Sequence, residues 1–297
     1  MPRVSVVIPV RDQAAYLAES LASVFAQPYR DIEVIVVDDG SAEDLHPALA
    51  PHASRIRFER QPASGVAAAT NRGAALAQGE LLAFHDADDL MEPTRITSLL
   101  TILDAQPTYA LAFGNGTRVS AVGVPLGPVI PPRQARRLAR HGLRPTELLR
   151  RSLIYLQASL VRRSAFEALG GLPPFSAGAD WGFTLRCAFR YPIGFVDASL
   201  FRYRQHAGSL TAARVAMATA AVAVLRDLAA SDAALVARIG RRRFEHALAR
   251  RLARLAAQEL RVGDTAAART HLAEASALAP LTLKYRWRSL RLAHRPG

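Results

Sequence analysis

The chain of 297 residues contains very little cysteine and very little lysine. Cys187 is the single cysteine, so no intramolecular disulfide can form and the cysteine spacing of a zinc finger is absent. Lys284 is the single lysine, so arginine carries almost all of the positive charge behind a net charge of +13. Such a charge suits nucleic acid, anionic lipid or phosphate-bearing substrates, and composition alone does not choose among them.

The sequence also lacks a long apolar run. The run at residues 4–10 is too short for the apolar core of a secretory signal, and the charged pair Arg11 and Asp12 follows it where a cleavage site would stand. The alanine-rich run at residues 215–225 falls well short of the roughly 20 residues that cross a bilayer. Half of the residues are hydrophobic, as in a globular domain, and we therefore expect a cytoplasmic protein.

The first hundred residues alternate strand and helix signals. Short runs rich in Val and Ile are followed by segments whose apolar residues recur at helical spacing. This rhythm predicts parallel βαβ units, and so an α/β fold with a mainly parallel central sheet flanked by helices. The predicted strands are 4–10, 33–37, 56–60, 81–84 and 109–113, and the predicted helices are 14–27, 44–49, 66–77 and 95–103.

Two later segments differ from this rhythm. Residues 124–133 include four prolines, which predicts an irregular loop. After Ser209 the composition changes to Ala, Arg and Leu with helical periodicity, which predicts a first domain of residues 1–210 and a helical C-terminal extension of residues 211–297. Within this extension, residues 255–280 resemble one tetratricopeptide-like helical hairpin.

Acidic residues follow two of the predicted strands. Asp86, Asp88 and Asp89 come after the strand at 81–84, and Asp39 follows an earlier strand. Because ligands of open α/β sheets bind outside the carboxyl ends of parallel strands, both groups are expected to lie at one cleft. Three close carboxylates repel one another unless a cation neutralises them, and oxygen ligands favour Mg or Mn. The alternative is a turn in which Asp side chains bond to the backbone.

Three groups of motifs stand in order along the chain. They are Val4-Ser5-Val6-Val7-Ile8-Pro9, Leu17, Leu21, Ser23, Gln27, Glu33 and Val37-Asp38-Asp39-Gly40-Ser41; Gly65-Val66-Ala67-Ala68-Ala69-Thr70-Asn71-Arg72-Gly73, Ala77-Gln78-Gly79-Glu80 and Asp86-Ala87-Asp88-Asp89; and Gly170-Gly171-Leu172-Pro173-Pro174-Phe175, Gly178-Ala179-Asp180-Trp181 and Leu185-Arg186. Taken together, these motifs resemble family 2 of the glycosyltransferases, which use nucleotide sugars and have the GT-A fold. The resemblance covers residues 4–211 and implies an inverting sugar transfer, in a setting such as cell-envelope polysaccharide synthesis.

The resemblance implies a site for a nucleoside-diphosphate sugar, UDP- or dTDP-linked, together with a divalent metal, Mn or Mg. Asp39 would accept a hydrogen bond from the base, and Asp86 would lie near the ribose. Asp88 would bind the metal that bridges the diphosphate, with Asp89 supporting it or binding through water. The other implied residues are Pro9, Val10 and Arg11 along the base pocket and Arg202 and Arg204 at the diphosphate. His206 would lie beside the diphosphate or the metal, and the alternative for this lone histidine is a structural role.

Asp180 matches the family's catalytic base. As a carboxylate it would take the proton of an acceptor hydroxyl, on a glycan, a lipid-linked sugar or a small molecule, as that hydroxyl attacks the anomeric carbon. The alternative is a cap for a helix at 181–190. Ala179 stands where the family usually has an acid, and Arg11 stands in the base pocket where Tyr is frequent, so acceptor and base contacts are expected to differ. His85 precedes the acidic cluster where Leu is common, and it is either a metal-proximal residue or a tolerated replacement.

A second class of function is a non-catalytic GT-A domain that binds nucleotide sugar or scaffolds partners. Ala179 supports this hypothesis, and the intact acidic residues oppose it. These are Asp39, Asp86, Asp88 and Asp180.

A third class is peripheral contact with an anionic membrane through basic segments, at the inner face of the cell membrane. Solvated helix faces are the alternative for each segment. Nucleic acid is not an expected partner, because the sequence has no recognisable stacking motif or recognition helix. The basic segments are 133–140, 241–243, 250–251 and 284–291.

Overall fold

The structure is a computed structural model that describes residues 1–206, 213–283 and 285. The chain divides into two compact units. The first comprises Met1–Ser176 and Phe183–His206, and the second comprises Ala177–Gly182 and the chain after His206. The predicted domain boundary at 210 and most of the predicted basic segment at 284–291 lie outside the described residues.

The first unit is built on one mixed sheet, which contains all nine strands found among the described residues. The apolar β-branched runs of the sequence form its most deeply buried strands, as their residue types favour. In chain order the strands are β1 (Val4–Val10), β2 (Ile32–Asp38), β3 (Ile56–Arg60), β4 (Leu81–Phe84), β5 (Leu90–Met91), β6 (Leu111–Ser120), β7 (Pro125–Pro128), β8 (Ser159–Arg162) and β9 (Ile193–Gln205).

Helices connect these strands and form the second unit. Those of the first unit bury an apolar stripe, as with Leu17, Leu21 and Val24 in the first helix. The helices are α1 (Ala14–Phe25), α2 (His46–Leu49), α3 (Val66–Leu76), α4 (Arg95–Ala105), α5 (Pro132–His141), α6 (Arg163–Ala168), α7 (Ala179–Arg190), α8 (Arg214–Ser231), α9 (Ala233–Ile239), α10 (Arg241–Glu259) and α11 (Thr265–Leu278).

The sheet order is β3-β2-β1-β4-β8-β6-β9-β5, with β7 pairing to β6. The first four strands of this order are parallel, as the βαβ rhythm predicts. β8 runs antiparallel to both β4 and β6, and β9 runs parallel to β6. The carboxyl ends of β1, β2 and β4 therefore lie at the same edge of the sheet.

Signature residues of the sequence hold this parallel half together. The Ser5 hydroxyl donates to Glu33 Oε1 at 2.5 Å and accepts from the backbone N–H of Gly79 at 2.9 Å. Gly73 in α3 packs on β1, where an added Cβ would come within 2.4 Å of a Val7 methyl carbon. These contacts join β1, β2 and the chain entering β4 at the edge opposite the acidic residues.

The predicted irregular loop at 124–133 is wrong. Pro125–Pro128 forms β7, which pairs antiparallel with β6, and Pro132 opens α5. Among the described strands, β7 pairs only with β6. Its outer side therefore needs no backbone N–H donor, which is the group that proline lacks. Proline at a first helical position likewise removes only an N–H that has no partner in the helix.

Other predicted bounds shift by a few residues. The helix predicted at 44–49 begins at His46, and the strand predicted at 109–113 is longer, running from Leu111 to Ser120.

In the second unit, α10 and α11 pack on each other over the stretch where a helical hairpin is predicted. The chain turns through Gly263 at φ 87°, and the Asp264 carboxylate accepts from the N–H of Ala267 at 3.0 Å to cap α11. The similarity to a tetratricopeptide repeat stays a prediction. Within the described part of the chain, no helix is both long and apolar enough to cross a membrane.

Candidate functional site

The candidate site lies at the carboxyl ends of β1, β2 and β4. Asp39 directly follows β2, and its backbone N–H donates to the carbonyl of Val10 at 2.8 Å. The acidic turn follows β4, whose exit is held by a bond from the N–H of His85 to the carbonyl of Val7 at 2.9 Å. Both acidic strand ends thus flank the end of β1.

The acidic turn brings three carboxylates together. Asp86, Asp88 and Asp89 each place one carboxylate oxygen within 4.8 Å of the others. Asp89 is only 1% exposed, and its Oδ2 has no hydrogen-bond partner among the described residues. Burial, followed by the charges of Asp86 and Asp88, raises the pKa of Asp89 well above its ordinary value. An all-oxygen donor set with an unsatisfied buried oxygen fits a hard divalent cation.

His206 contacts this turn directly. Its Nε2 lies 2.9 Å from Oδ2 of Asp88, and its side chain is 9% exposed. The ring packs against Tyr16 in α1, with ring centroids 4.9 Å apart. The structure therefore brings together the three residues that the sequence assigns to the metal, Asp88, Asp89 and His206.

Arg204 is bonded to the acidic turn through both its backbone and its side chain. Its backbone N–H donates to Asp89 Oδ1 at 2.9 Å, and its Nε donates to the carbonyl of Asp88 at 2.9 Å. One terminal nitrogen donates to Glu19 Oε2 at 2.6 Å and the other to the carbonyl of Ala121 at 2.8 Å. At 3% exposure, the guanidinium is enclosed by protein.

Arg202, Arg204 and His206 alternate along the end of β9. Side chains two residues apart lie on one face of a strand, and His206 directly follows the end of β9. Arg204 and His206 contact the acidic turn itself, whereas Arg202 contacts Glu92, three residues beyond it. Arg202 pairs with Glu92 at 2.8 Å while remaining 50% exposed. The family resemblance indicates these three residues, whereas the sequence pattern predicts no strand at 193–205.

The sequence interpretation missed Arg95, which lies buried beside the turn. Its Nη2 donates to the carbonyls of Phe84 at 2.7 Å and Ser159 at 3.2 Å, and its Nη1 lies 3.3 Å from Nδ1 of His85. Burial lowers the pKa of Arg95 to about 9, while the charges of Asp89 and Asp86 oppose that shift.

Burial, and then the charge of Arg95, lowers the pKa of His85 well below its ordinary value. His85 is buried with Nδ1 beside Arg95, which favours a tolerated replacement over a metal-proximal role. Gln157 was also missed, and its Nε2 donates to Asp86 Oδ2. Nothing in the local sequence marks Arg95 or Gln157 as a neighbour of the turn.

Asp39 organises the loop that leads into α3. Its Oδ1 accepts from Gln61 Nε2 at 2.8 Å and from the N–H of Ser64 at 2.7 Å, and its Oδ2 accepts from the N–H of Gly65 at 2.8 Å. The loop is therefore held against the end of β2. Of the residues predicted to line the base pocket, Pro9 and Val10 are buried in β1 and Arg11 is exposed.

A cavity of about 310 Å³ lies on the β2–β3 side of this edge. Asp38, His46 and Arg60 contribute its polar wall, and Leu45 and Ile56 are among its apolar residues. None of the predicted donor-site residues lines it. We place the candidate site at the acidic turn, because the chemistry of the donor set and not the size of the cavity points there.

Asp180 lies in the first turn of α7. The helix begins at Ala179, so Asp180 is a helical residue and not the cap of a helix that begins at Trp181. Burial raises the pKa of Asp180, while hydrogen bonds from the backbone at Trp181 and at Asp180 itself oppose the shift. A raised pKa makes the carboxylate a better proton acceptor.

Comparisons with known proteins agree on a family. The profile of the family described as Glycosyl transferase family 2 matches residues 5–170, more than half of the chain. The O-antigen biosynthesis protein RfbC of Myxococcus xanthus is 31% identical over 236 residues, which are 76% of this chain and 18% of that protein. Glycosyltransferase GlyG of Streptococcus pneumoniae is 35% identical over 100 residues, 32% of this chain and 33% of GlyG. The chain thus spans less than half of either relative.

Solved structures share the fold. TarS 1-349 of S. aureus, in complex with UDP-GlcNAc, superposes with a TM-score of 0.68 at 15% identity, covering 98% of this chain and 89% of that one. The mannosyltransferase PcManGT of Pyrobaculum calidifontis, in complex with GDP-Man and Mn2+, gives a TM-score of 0.60 at 22% identity, covering 98% and 84%. The α/β architecture is that of the GT-A glycosyltransferases, and the chain belongs to glycosyl transferase family 2.

Proposed function

We propose that this protein is an inverting glycosyltransferase that moves a sugar from a nucleoside-diphosphate sugar to an acceptor hydroxyl. The observation that carries the proposal is the contact of Asp88, Asp89 and His206 at the sheet edge that also holds Asp39, in a chain of this family. Ligands of open α/β sheets bind at this edge.

In this proposal Asp88, Asp89 and His206 hold a divalent metal, Mn or Mg. When bound, the metal would stabilise the negative charge that builds on the nucleoside diphosphate as the glycosidic bond breaks. Arg204 holds the backbone of the turn and Arg95 places a buried positive charge beside it, so the carboxylates keep their positions in the absence of donor.

The donor would lie across the ends of β1 and β2. Asp39 accepts a hydrogen bond from the base through Oδ2, which keeps one acceptor position because it accepts only from Gly65, and Asp86 contacts the ribose. Arg202 and Arg204 are the proposed diphosphate contacts, and Arg202 suits this role better because half of its side chain is exposed whereas Arg204 is enclosed. Pro9, Val10 and Arg11 complete the wall around the base.

UDP- or dTDP-linked sugars are the donors that the sequence favours. TarS is seen with UDP-GlcNAc and PcManGT with GDP-Man, so a test of the donor must include guanine as well.

Asp180 is the proposed base. Its carboxylate takes the proton of the acceptor hydroxyl while the hydroxyl oxygen bonds to the anomeric carbon and the bond to the diphosphate breaks. The acceptor is a glycan, a lipid-linked sugar or a small molecule. The relative named for O-antigen biosynthesis supports a role in cell-envelope polysaccharide synthesis, in which peripheral contact of the basic segments with the inner membrane face would bring the enzyme to its acceptor.

Thermal unfolding with a panel of nucleotides tests the donor site. UDP, dTDP, GDP, CDP and ADP are each added with Mn, with Mg and with chelator, to the wild type and to Asp88→Ala. A ligand that binds the folded state raises its melting temperature. The proposal expects a metal-dependent rise for one base that the variant loses, whereas no rise with any nucleotide contradicts it.

Product analysis separates the enzyme from a non-catalytic nucleotide-sugar-binding domain. With the donor identified in this way, inversion at the anomeric carbon of a transferred sugar supports the proposal. Retained metal-dependent nucleotide binding with no transfer to a broad set of acceptors favours the binding domain, for which the argument is Ala179 in place of the family's usual acid.

A further inference from the structure

A groove of about 240 Å³ lies on the surface of α5, away from the residues of the acidic turn in the sequence. Its lining consists entirely of basic or titratable side chains. These are Arg133, Arg136, Arg137, Arg140 and His141.

Three of these arginines have no ion pair or hydrogen bond among the described residues. Arg133, Arg136 and Arg140 are exposed, and their spacing of three and four residues places them along one side of the helix. Like charges at this spacing repel one another, so the arrangement costs stability unless an anion lies between them.

The neighbouring carboxylate does not neutralise these three groups. Glu147 bonds to Arg137 and to Arg144, and it is the single acidic residue between 129 and 155. The groove therefore keeps an excess of guanidinium groups. Guanidinium matches the geometry of phosphate oxygens and binds them through two parallel N–H donors.

The helix that carries the groove is firmly held. Its inner side buries Ala135 and Leu138. Just before it, Ile130 exchanges two hydrogen bonds with the side chain of Asn115 in β6, at 2.8 and 2.9 Å. An anion would therefore meet guanidinium groups on a preformed helix surface and not on a loop that must first be ordered.

We propose that the α5 groove is a phosphoryl-group site that shares none of its lining residues with the donor site and is independent of metal. Its ligand is a phosphate ester or diphosphate, either on a soluble phosphate-bearing molecule or in a lipid headgroup. This goes beyond the proposed transfer reaction, which requires only a donor and an acceptor hydroxyl, and it does not depend on that reaction.

The test is calorimetric titration of the full chain with pyrophosphate in the presence of chelator, which removes metal-dependent binding at the acidic turn. The test variant is Arg133→Gln, Arg136→Gln and Arg140→Gln together, because glutamine preserves helix propensity. The matched control is Arg238→Gln, Arg241→Gln and Arg242→Gln, which removes the same charge from exposed arginines of α9 and α10. Circular dichroism confirms that each variant keeps its helix content.

The proposal expects saturable pyrophosphate binding by the wild type and by the control. It expects the affinity of the α5 variant to be at least about tenfold weaker than theirs. Equal losses in both variants would show a response to net charge alone and overturn it. Unchanged affinity in the α5 variant, or no binding by the wild type, overturns it as well.

Flotation with phosphatidylglycerol-containing vesicles and with phosphatidylcholine vesicles then distinguishes the two sources of phosphate. If the wild type floats with the anionic vesicles and the α5 variant does not, the groove binds lipid headgroups. Pyrophosphate binding without flotation assigns it to soluble phosphate-bearing molecules.

Discussion

The carboxylate of Asp39 after β2 accepts three hydrogen bonds, whereas the three carboxylates after β4 face one another and leave Asp89 Oδ2 without a partner. These two acidic strand ends have similar sequences, and both lie at one edge of the sheet. The first is satisfied by its own loop. The second is stable against mutual repulsion only with added positive charge, part of which Arg95 provides. A similar acidic motif can therefore order a loop in one place and hold a cation in another.

The largest expected effect is on metal affinity at the second strand end. Asp88→Asn keeps the size of the side chain and removes one charge of the cluster, so we expect Mn2+ affinity to fall by about 100-fold or more, since loss of even an outer-shell partner costs 10-fold to 100-fold. Calorimetric titration with Mn2+ measures this. Asp39→Asn serves as the comparison and should bind Mn2+ as the wild type does. Equal losses of Mn2+ affinity in the two variants would contradict the difference between the two strand ends.

Asp39→Asn should instead lower the stability of the metal-free protein. The amide nitrogen replaces an oxygen that accepts from the backbone, and the charge that strengthens the other bonds is lost, so we expect a loss of about 1.5–3 kcal/mol in the free energy of unfolding. Urea denaturation gives the value. Asp31→Asn, at an exposed position, is the control, and an Asp39 variant as stable as that control would mean that the loop is held by other contacts.

Arg204 connects the second strand end to β9 and α1, so its replacement tests whether the turn is held in place from outside. We expect Arg204→Gln to weaken Mn2+ binding by about tenfold, less than Asp88→Asn, because it alters the position of the ligands and removes none of them. The partly exposed Arg202→Gln provides the matched control. Weaker metal binding in the Arg202 variant than in the Arg204 variant would contradict a positioning role for Arg204.

The smallest expected effect is a difference in pH dependence. Because the folded-state pKa of Asp89 is raised, the folded protein binds a proton more tightly there than the unfolded chain does, and stability falls as the pH rises from the unfolded-state pKa through the folded-state pKa. Denaturation of the metal-free protein at pH 5 and pH 8 should show a decline that is smaller in Asp89→Asn. An equal decline in both proteins would remove Asp89 as its cause.

The parallel half of the sheet was predictable because its signals are local. Val4–Val10, Ile32–Asp38 and Leu81–Phe84 are short apolar runs followed by turn residues, and the structure places these strands within a residue of their predicted bounds. The prolines between 124 and 133 misled the prediction, since whether proline is tolerated depends on which side of a strand faces a partner. That partner, β6, is identified only by the fold.

Of the candidate site, only the side chains proposed to bind the metal or the donor directly were predictable. Residue type and strand position indicated the carboxylates of the acidic turn, and the family resemblance alone indicated His206. Gln157 reaches Asp86 from 71 residues away, which no local pattern shows. Arg95 is close to the turn in the sequence, but its burial there is a property of tertiary packing and not of a pattern. The bonds from Arg204 to Asp88 and Asp89 span more than 110 residues and could not be assigned from spacing either.

The most direct test of whether the acidic turn holds the metal of the donor is pulsed electron paramagnetic resonance. The sample is the Mn2+-loaded protein with the nucleoside diphosphate that stabilises it. If Asp88, Asp89 and His206 hold the metal of the donor, the spectrum should show coupling to the 31P nuclei of the diphosphate and to a 14N nucleus, with the nitrogen coupling lost in His206→Gln. Bound Mn2+ with no phosphorus coupling would contradict a donor-binding metal at this turn.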